Sequence, residues 1–198
     1  MSNTTQPKTG LFAGKLKGAK VTDRSPYFHP GTYVVRVKKA EWKNCFGPPR
    51  FDAYILECEI VKSSRPEKIE MMPNETSAQY EARCAKAPNA VGTSAAYFQS
   101  CASAEIGFGA LLGFATKVTG TNPNDPSVIE AVEEFLDETV YGTLERDAND
   151  QPTGKRLDDG ALNGKLIPVE AFNTRTKPKP GFPEGSDFTK LSWGKIIE

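Results

Sequence analysis

The sequence has little of the chemistry from which enzymes and metal sites are built. It contains one histidine, His29, and its four cysteines show no CxxC spacing. A structural zinc site needs clustered ligands, and acid–base catalysis needs convergent carboxylates or a histidine with a partner. P-loop and nucleophile-elbow motifs are also absent. We therefore expect a protein that is not an enzyme, that uses no cofactor or metal and that keeps its cysteines as free thiols.

Long apolar runs are missing as well. No stretch of the sequence approaches the 18 apolar residues that indicate a membrane span. The polar start, MSNTTQPKTG, lacks the apolar core of a secretory signal. Mean hydropathy is −0.48, which is typical of a soluble chain, and 198 residues suffice for one domain. We expect a cytoplasmic protein that does not contact a membrane.

One glycine-rich segment superficially resembles a dinucleotide-binding fingerprint. Gly107 and Gly109 have the spacing of the first two glycines, but Leu112 stands where the third would be. No strand–helix–strand unit with a downstream acidic residue follows. We interpret these glycines as small residues that let a helix pack closely.

The net charge is zero, but the charges are unevenly distributed. Residues 1–43 hold nine Lys or Arg against two Asp or Glu, and residues 165–195 hold six against three. Between them, residues 128–150 hold one Arg against eight acids. For a polyanionic partner, such asymmetry matters more than the total charge.

The hydrophobic pattern divides the chain into an arm and one domain. Residues 1–28 are polar and basic without sustained periodicity, which predicts a flexible N-terminal arm. Residues 29–198 carry the signals of a single domain with loop insertions at about 63–88 and 143–164. Within the first insertion, residues 76–85 favour a short helix.

Five strands and two longer helices are predicted within the domain. The strands are residues 32–42, 51–61, 89–100, 164–174 and 188–196, and the helices are residues 104–118 and 125–140. Asp125 as N-cap and Pro126 mark the start of the second helix. Three strands, a helical section and two strands follow the plan of a mainly β, five-stranded OB-fold-like Greek-key barrel. A parallel α/β sheet would need regular alternation of strands and helices.

The segment VEAFNTRTKPKPGFPEGSDFTKLSW, residues 169–193, interleaves cations with aromatic side chains. Single-stranded nucleic acid presents phosphates, which Lys and Arg neutralise, and base faces, on which aromatic rings stack. In the first strand, Arg36, Lys38 and Trp42 share a parity opposite Val35 and Val37. Burial in the core is the alternative for each aromatic, Trp193 included. The candidate binding residues are Arg36, Lys38, Arg175, Lys177 and Lys190 for phosphates, and Trp42, Tyr97, Phe182 and Trp193 for stacking.

The order of these features resembles a family of bacteriophage single-stranded DNA-binding proteins with an OB-fold. The shared landmarks are HPGTY at residue 29, FDAYILECEIV at 51, NAVG at 89, GFGALLGFATKVTG at 107 and VEAFNTRTK with a downstream DFTKLSW. The resemblance implies single-stranded DNA as the partner, protected or organised during phage replication or recombination in the host cytoplasm. It also implies replication or recombination proteins as further partners and leaves homo-oligomerisation open.

Two other functions remain compatible with the sequence. The same barrel could serve as a protein-interaction or virion structural module, whose function would survive replacement of its basic residues. It could also be a nuclease accessory or sugar-binding barrel, and oligosaccharide binding would be insensitive to salt.

Overall fold

The protein is mainly β in a computed structural model, with one five-stranded antiparallel sheet, a two-stranded hairpin and three helices among the residues described. Those residues are 27–45, 51–102, 104–122, 128–142, 144–149, 152–156, 160–175, 178 and 187–197. The elements are β1 (Gly31–Cys45), β2 (Phe51–Ser63), α1 (Ser77–Lys86), β3 (Ser94–Ser100), α2 (Ala104–Thr119), α3 (Val128–Tyr141), β4 (Leu144–Arg146), β5 (Pro152–Arg156), β6 (Leu166–Arg175) and β7 (Asp187–Trp193). All five predicted strands are confirmed, although β3 begins five residues later than expected.

The main sheet has the order β3-β2-β1-β6-β7, and every neighbouring pair is antiparallel. The predicted hairpin of the first two strands is confirmed. Strands β3 and β7 are therefore the two edges of the sheet, and no ladder joins them within the ranges given above. The sheet is consequently not closed into a barrel by hydrogen bonds.

The inner face of the sheet carries the core. Tyr54, Leu56, Cys58 and Ile60 of β2 alternate with less buried neighbours, and each is at most 1% exposed. Burial raises the pKa of the Cys58 thiol to about 12, so this cysteine is an unreactive core residue. Because the period of a strand is two, the alternation in the sequence was sufficient to predict this face.

Strand β1 changes face at Lys38, which the sequence did not predict. Val37 pairs with Cys58, but the next paired residue, Lys39, lies opposite Glu57, so Lys38 is an extra residue in the ladder. A bulge of this kind moves every later side chain to the other face. Trp42 therefore lies on the inner face opposite Tyr54, and the prediction that it shares a face with Arg36 and Lys38 is wrong.

Helix α2 covers the inner face, and a glycine permits its close approach to β3. Leu111, Phe114 and Val118 of α2 are buried in the core. A Cβ at Gly107 would lie 2.6 Å from the Cα of Cys101, closer than any side chain tolerates. The interpretation of Gly107 as a packing residue is confirmed, whereas that of Gly109 is wrong, since a Cβ there would meet nothing within 4 Å.

Both predicted insertions contain regular structure. The first carries α1, whose N-cap Thr76 forms a capping box with Gln79, and the predicted short helix is thus confirmed. The second contains the hairpin of β4 and β5, followed by a turn that places Leu162 in the core. Leu162 anchors this segment, which the sequence had indicated only as a loop.

The first described residues already belong to the folded domain, since Phe28 lies in the core. The rest of the predicted arm, residues 1–26, lies outside the described residues, as do Asp125 and Pro126. Within the described ranges, no helix combines the length and the apolar character needed to cross a membrane.

Candidate nucleic-acid interface

A groove of about 790 Å³ lies between the two edges of the main sheet. The edge strands β3 and β7 line its sides, and α2 contributes one helical face, Ala110, Gly113, Phe114 and Lys117. Three rings from the inner side meet there: Tyr97 and Trp193 at 5.4 Å between centroids, and Phe114 and Trp193 at 5.1 Å. These contacts bring the edges of the sheet close together without a hydrogen-bonded ladder.

Four aromatic rings along the groove are exposed to solvent. Tyr27 is 60% exposed, Phe98 38%, Phe172 39% and Phe188 45%. The register explains this exposure for the strand residues. Phe98 lies opposite Ile55, and Phe172 opposite Lys190, on the outer face of the sheet. Exposed apolar groups gathered in one depression indicate a binding surface more often than scattered ones do.

Both signs of charge occur in the groove. Lys117 of α2 and Lys190 of β7 are exposed in its lining, and so is Glu170 of β6. Lys190 lies directly opposite Phe172 in the β6–β7 ladder, so a cation and an exposed ring stand side by side. This pairing places a cation, the kind of group that neutralises phosphates, beside an exposed ring, the kind of surface on which bases stack.

Three of the nine predicted binding residues, Tyr97, Lys190 and Trp193, line the groove. Trp193 is only 7% exposed and packs edge-on against Phe28. Burial raises the pKa of Tyr97, and its hydroxyl donates to Oε1 of Gln99 at 3.1 Å. The two rings therefore form the floor of the groove, where little of their surface remains for stacking on a base.

Arg36 and Lys38 lie outside the groove lining, in ion pairs with one carboxylate. Glu59 Oε2 is 2.6 Å from Lys38 Nζ and 3.4 Å from Arg36 Nη1. The hydrogen bond from Lys38 lowers the pKa of Glu59, with a smaller contribution from Arg36, so the carboxylate stays ionised near neutral pH. Part of the positive charge predicted for phosphate binding is therefore neutralised within the protein.

Two further predicted residues, Trp42 and Arg175, are described by the structure but do not line the groove. Trp42 stacks on Phe108 of α2 at 6.0 Å between centroids, on the inner side of the sheet. Arg175 ends β6 and is exposed, outside the groove lining. Lys177 and Phe182 lie outside the described residues.

Five exposed aromatic or basic residues of the groove were missed by the sequence argument. A signal existed for Phe172 and Phe188, which lie in the cation-rich segment and share the outer parity with Lys190. The other three come from a different strand, a helix and the start of the domain, and only the folded chain brings them together. The five are Tyr27, Phe98, Lys117, Phe172 and Phe188.

This chain showed no match to a protein-family model, to a curated protein or to a solved structure. Its functional assignment therefore depends on the geometry of the groove and on the chemistry of the side chains that line it.

Proposed function

We propose that the protein binds single-stranded DNA with little sequence preference and that the groove between β3 and β7 is the binding surface. The observation that carries this proposal is the set of four exposed rings along one groove, Tyr27, Phe98, Phe172 and Phe188. Each ring offers a base a stacking surface worth about 1–3 kcal/mol. Lys117 and Lys190 attract the phosphates between the bases.

The same geometry favours a single strand over a duplex. In a duplex the base faces are stacked on one another, so they are not accessible to aromatic side chains in a groove. An unpaired strand can turn its bases toward the rings and keep its phosphates near the lysines. Protection of such strands fits a role in phage replication or recombination, as the sequence resemblance implies.

Low sequence preference follows from the polar groups of the groove. The amide of Gln99 is occupied, because its Nε2 donates to the Ser100 carbonyl and its Oε1 accepts from Tyr97. Bidentate recognition of adenine by an amide needs that amide to be available, and Gln99 is the amide side chain in the groove lining. The exposed rings and the two lysines offer stacking and phosphate contacts, which are common to all four nucleotides.

The proposal includes a partly open OB-type barrel. The order β3-β2-β1-β6-β7 leaves the third and last strands of the main sheet as its edges. The ring contact of Tyr97 with Trp193 joins those edges at 5.4 Å. In a partly open barrel of this type, the groove would run along the unsealed seam.

Fluorescence anisotropy of a labelled oligo(dT) tests the proposal. We expect binding at low salt that weakens as salt increases, and a Kd at least about tenfold higher for a duplex of equal length. Mixed-sequence single strands should bind within a few-fold of oligo(dT). Unchanged anisotropy with oligo(dT) at low salt, or equal affinity for the duplex, would refute the proposal.

A further inference from the structure

The chain enters the groove at Tyr27 and Phe28, beside the edge of β3. Tyr27 forms an isolated parallel bridge with Ala96 of β3. The Phe28 ring is buried against Tyr33 at 5.5 Å and Trp193 at 6.3 Å. The Tyr27 ring, in contrast, is exposed in the groove. One backbone bridge is weak support for an exposed ring, so other contacts must fix its position.

The side chain of Asn89 supplies those contacts. Its Oδ1 accepts from the His29 amide at 2.8 Å, and its Nδ2 donates to the Tyr27 carbonyl at 3.2 Å. Asn89 is itself buried, at the border of the first insertion and far from residues 27–29 in sequence. The side-chain amide supplies, on two separate atoms, both the acceptor and the donor that this backbone segment requires.

Asn89 is held in place from several sides. The backbone N–H of Asn89 donates to the Tyr33 hydroxyl at 3.1 Å, and its backbone carbonyl accepts from Ser63 Oγ at 2.6 Å. The Tyr33 hydroxyl in turn donates to the His29 carbonyl at 2.6 Å. The preceding carbonyl, that of Pro88, accepts from Arg65 Nη1 at 2.8 Å. Because the hydrogen bonds of the Asn89 backbone and of its neighbours are all formed in one network, the side-chain amide of Asn89 is a rigid support for residues 27–29.

We propose that Asn89 is a positioning residue for DNA binding, which holds Tyr27 along the edge of β3 so that its ring faces the groove. The inference depends on the proposed function, since it assigns Tyr27 to stacking. Asn89 itself touches no base in this arrangement and acts through the backbone of residues 27–29. Because the Tyr27 ring is already in position, it binds a base without the entropic cost of ordering residues 27–29 during binding.

A double-mutant cycle with oligo(dT) tests this coupling. Tyr27→Ala is expected to weaken binding about 5- to 100-fold, the range for loss of one stacked base. Asn89→Ala should cause a similar loss, and the double variant should bind no more weakly than Tyr27→Ala alone. Equal affinity of Asn89→Ala and wild type, or fully additive losses in the double variant, would overturn the proposal.

Exchange of the His29 backbone amide, followed by NMR, gives a readout that needs no DNA. In Asn89→Ala this amide loses its acceptor, so we expect exchange at least about tenfold faster than in wild type. Unchanged protection of the His29 amide would reject the positioning role. If the alanine variant fails to fold, Asn89→Asp replaces it in the oligo(dT) titration, because it keeps the acceptor for the His29 amide and puts a carboxylate oxygen, which repels the Tyr27 carbonyl, where Nδ2 donates. This variant should also bind more weakly than wild type, and wild-type affinity would overturn the proposal.

Thr139→Val is the control for general destabilisation. Thr139 is buried and bonds to the Tyr54 hydroxyl at 2.9 Å, outside the groove lining. The Thr139→Val variant should have a lower Tm than wild type and the same affinity for oligo(dT). If Phe172→Ala and Phe188→Ala weaken binding while Asn89→Ala does not, the positioning role fails and the proposed function stands. If wild type binds no single strand, the proposed function fails and so does any role of Asn89 in it.

Discussion

At the scale of single residues, exposure separates the rings that can stack from the rings that support the fold. Phe172 and Phe188 are exposed on the outer face of β6 and β7, whereas Trp193 is packed among Phe28, Tyr97 and Phe114. Phe172, Phe188 and Trp193 all occur in the same cation-rich segment, residues 169–193. Of the aromatic residues predicted from the sequence, Tyr97 and Trp193 line the groove, but the sequence could not tell which rings face solvent.

Replacing the exposed phenylalanines should weaken binding without unfolding the protein. We expect Phe172→Ala and Phe188→Ala each to reduce affinity for oligo(dT) about 5- to 100-fold, since each removes one stacking surface. Phe108→Ala is the matched control, because Phe108 is 50% exposed on α2 but lies outside the groove lining. Equal losses in all three variants, measured by anisotropy titration, would contradict the assignment of the groove.

The lysines of the groove should determine part of the salt dependence. Each phosphate contact of a single strand contributes about 0.7 to the slope of log K against log salt. Lys190→Gln and Lys117→Gln should therefore each lower the magnitude of the slope by about 0.7, as measured by titrations at several salt concentrations. Lys38→Gln is the control, since Lys38 is paired with Glu59 outside the groove lining, and its slope should match wild type. If only Lys38→Gln lowers the slope, the phosphates contact the surface around Lys38 and Glu59 and not the groove.

At the scale of elements, alternation predicted the strands well because each has one buried face. It failed where the ladder is irregular. The extra residue at Lys38 leaves no mark in composition, yet it reverses the face of Trp42. The hairpin of β4 and β5 was also missed, because a short polar strand pair lacks the apolar alternation on which the prediction depends.

Helix α1 illustrates an element held by polar contacts, since none of its residues is buried. Arg83 Nη2 donates to Glu75 Oε2 at 2.7 Å and Arg83 Nε to Oε1 at 2.9 Å. These bonds, with one from the Met72 amide, lower the pKa of Glu75 to about 2. Because this pKa is depressed on folding, the stabilisation is complete above about pH 4.5 and is lost as the pH falls toward 2.

Amide hydrogen exchange in α1 should show the same pH dependence as the stabilisation by Glu75. At pH 5 we expect faster exchange in Glu75→Gln than in wild type, because the charged partner of Arg83 is gone. The ratio of the two rates at equal pH, which cancels intrinsic effects of acid, should approach one near pH 2. A ratio that stays constant from pH 5 to pH 2 would show that the Glu75–Arg83 pair does not hold this helix.

At the scale of the whole molecule, the site exists only because distant segments converge. The groove combines the start of the domain, β3, α2, β6 and β7, and it lies where the sheet fails to close. The sequence predicted the order of these elements, and two of the residues it proposed in the last strand, Lys190 and Trp193, line the groove. It could not predict that the edges of the sheet meet around a groove, because that depends on sheet curvature and on the packing of α2.

Obstructing the groove is the most direct test of the central claim. Gly113 of α2 lines the groove, and a Cβ there would meet nothing within 4 Å. Gly113→Leu should therefore fill the groove and, by helix propensity, leave the fold as stable as wild type or about 0.5–1 kcal/mol more stable. Gly109→Leu is the control, since Gly109 is equally unhindered on the same helix but outside the groove lining.

Anisotropy titration with oligo(dT), together with thermal melting, compares these two variants. The groove assignment predicts that Gly113→Leu loses most of its affinity without a lower Tm, whereas Gly109→Leu binds like wild type. Wild-type affinity in a stably folded Gly113→Leu variant would show that the single strand binds elsewhere.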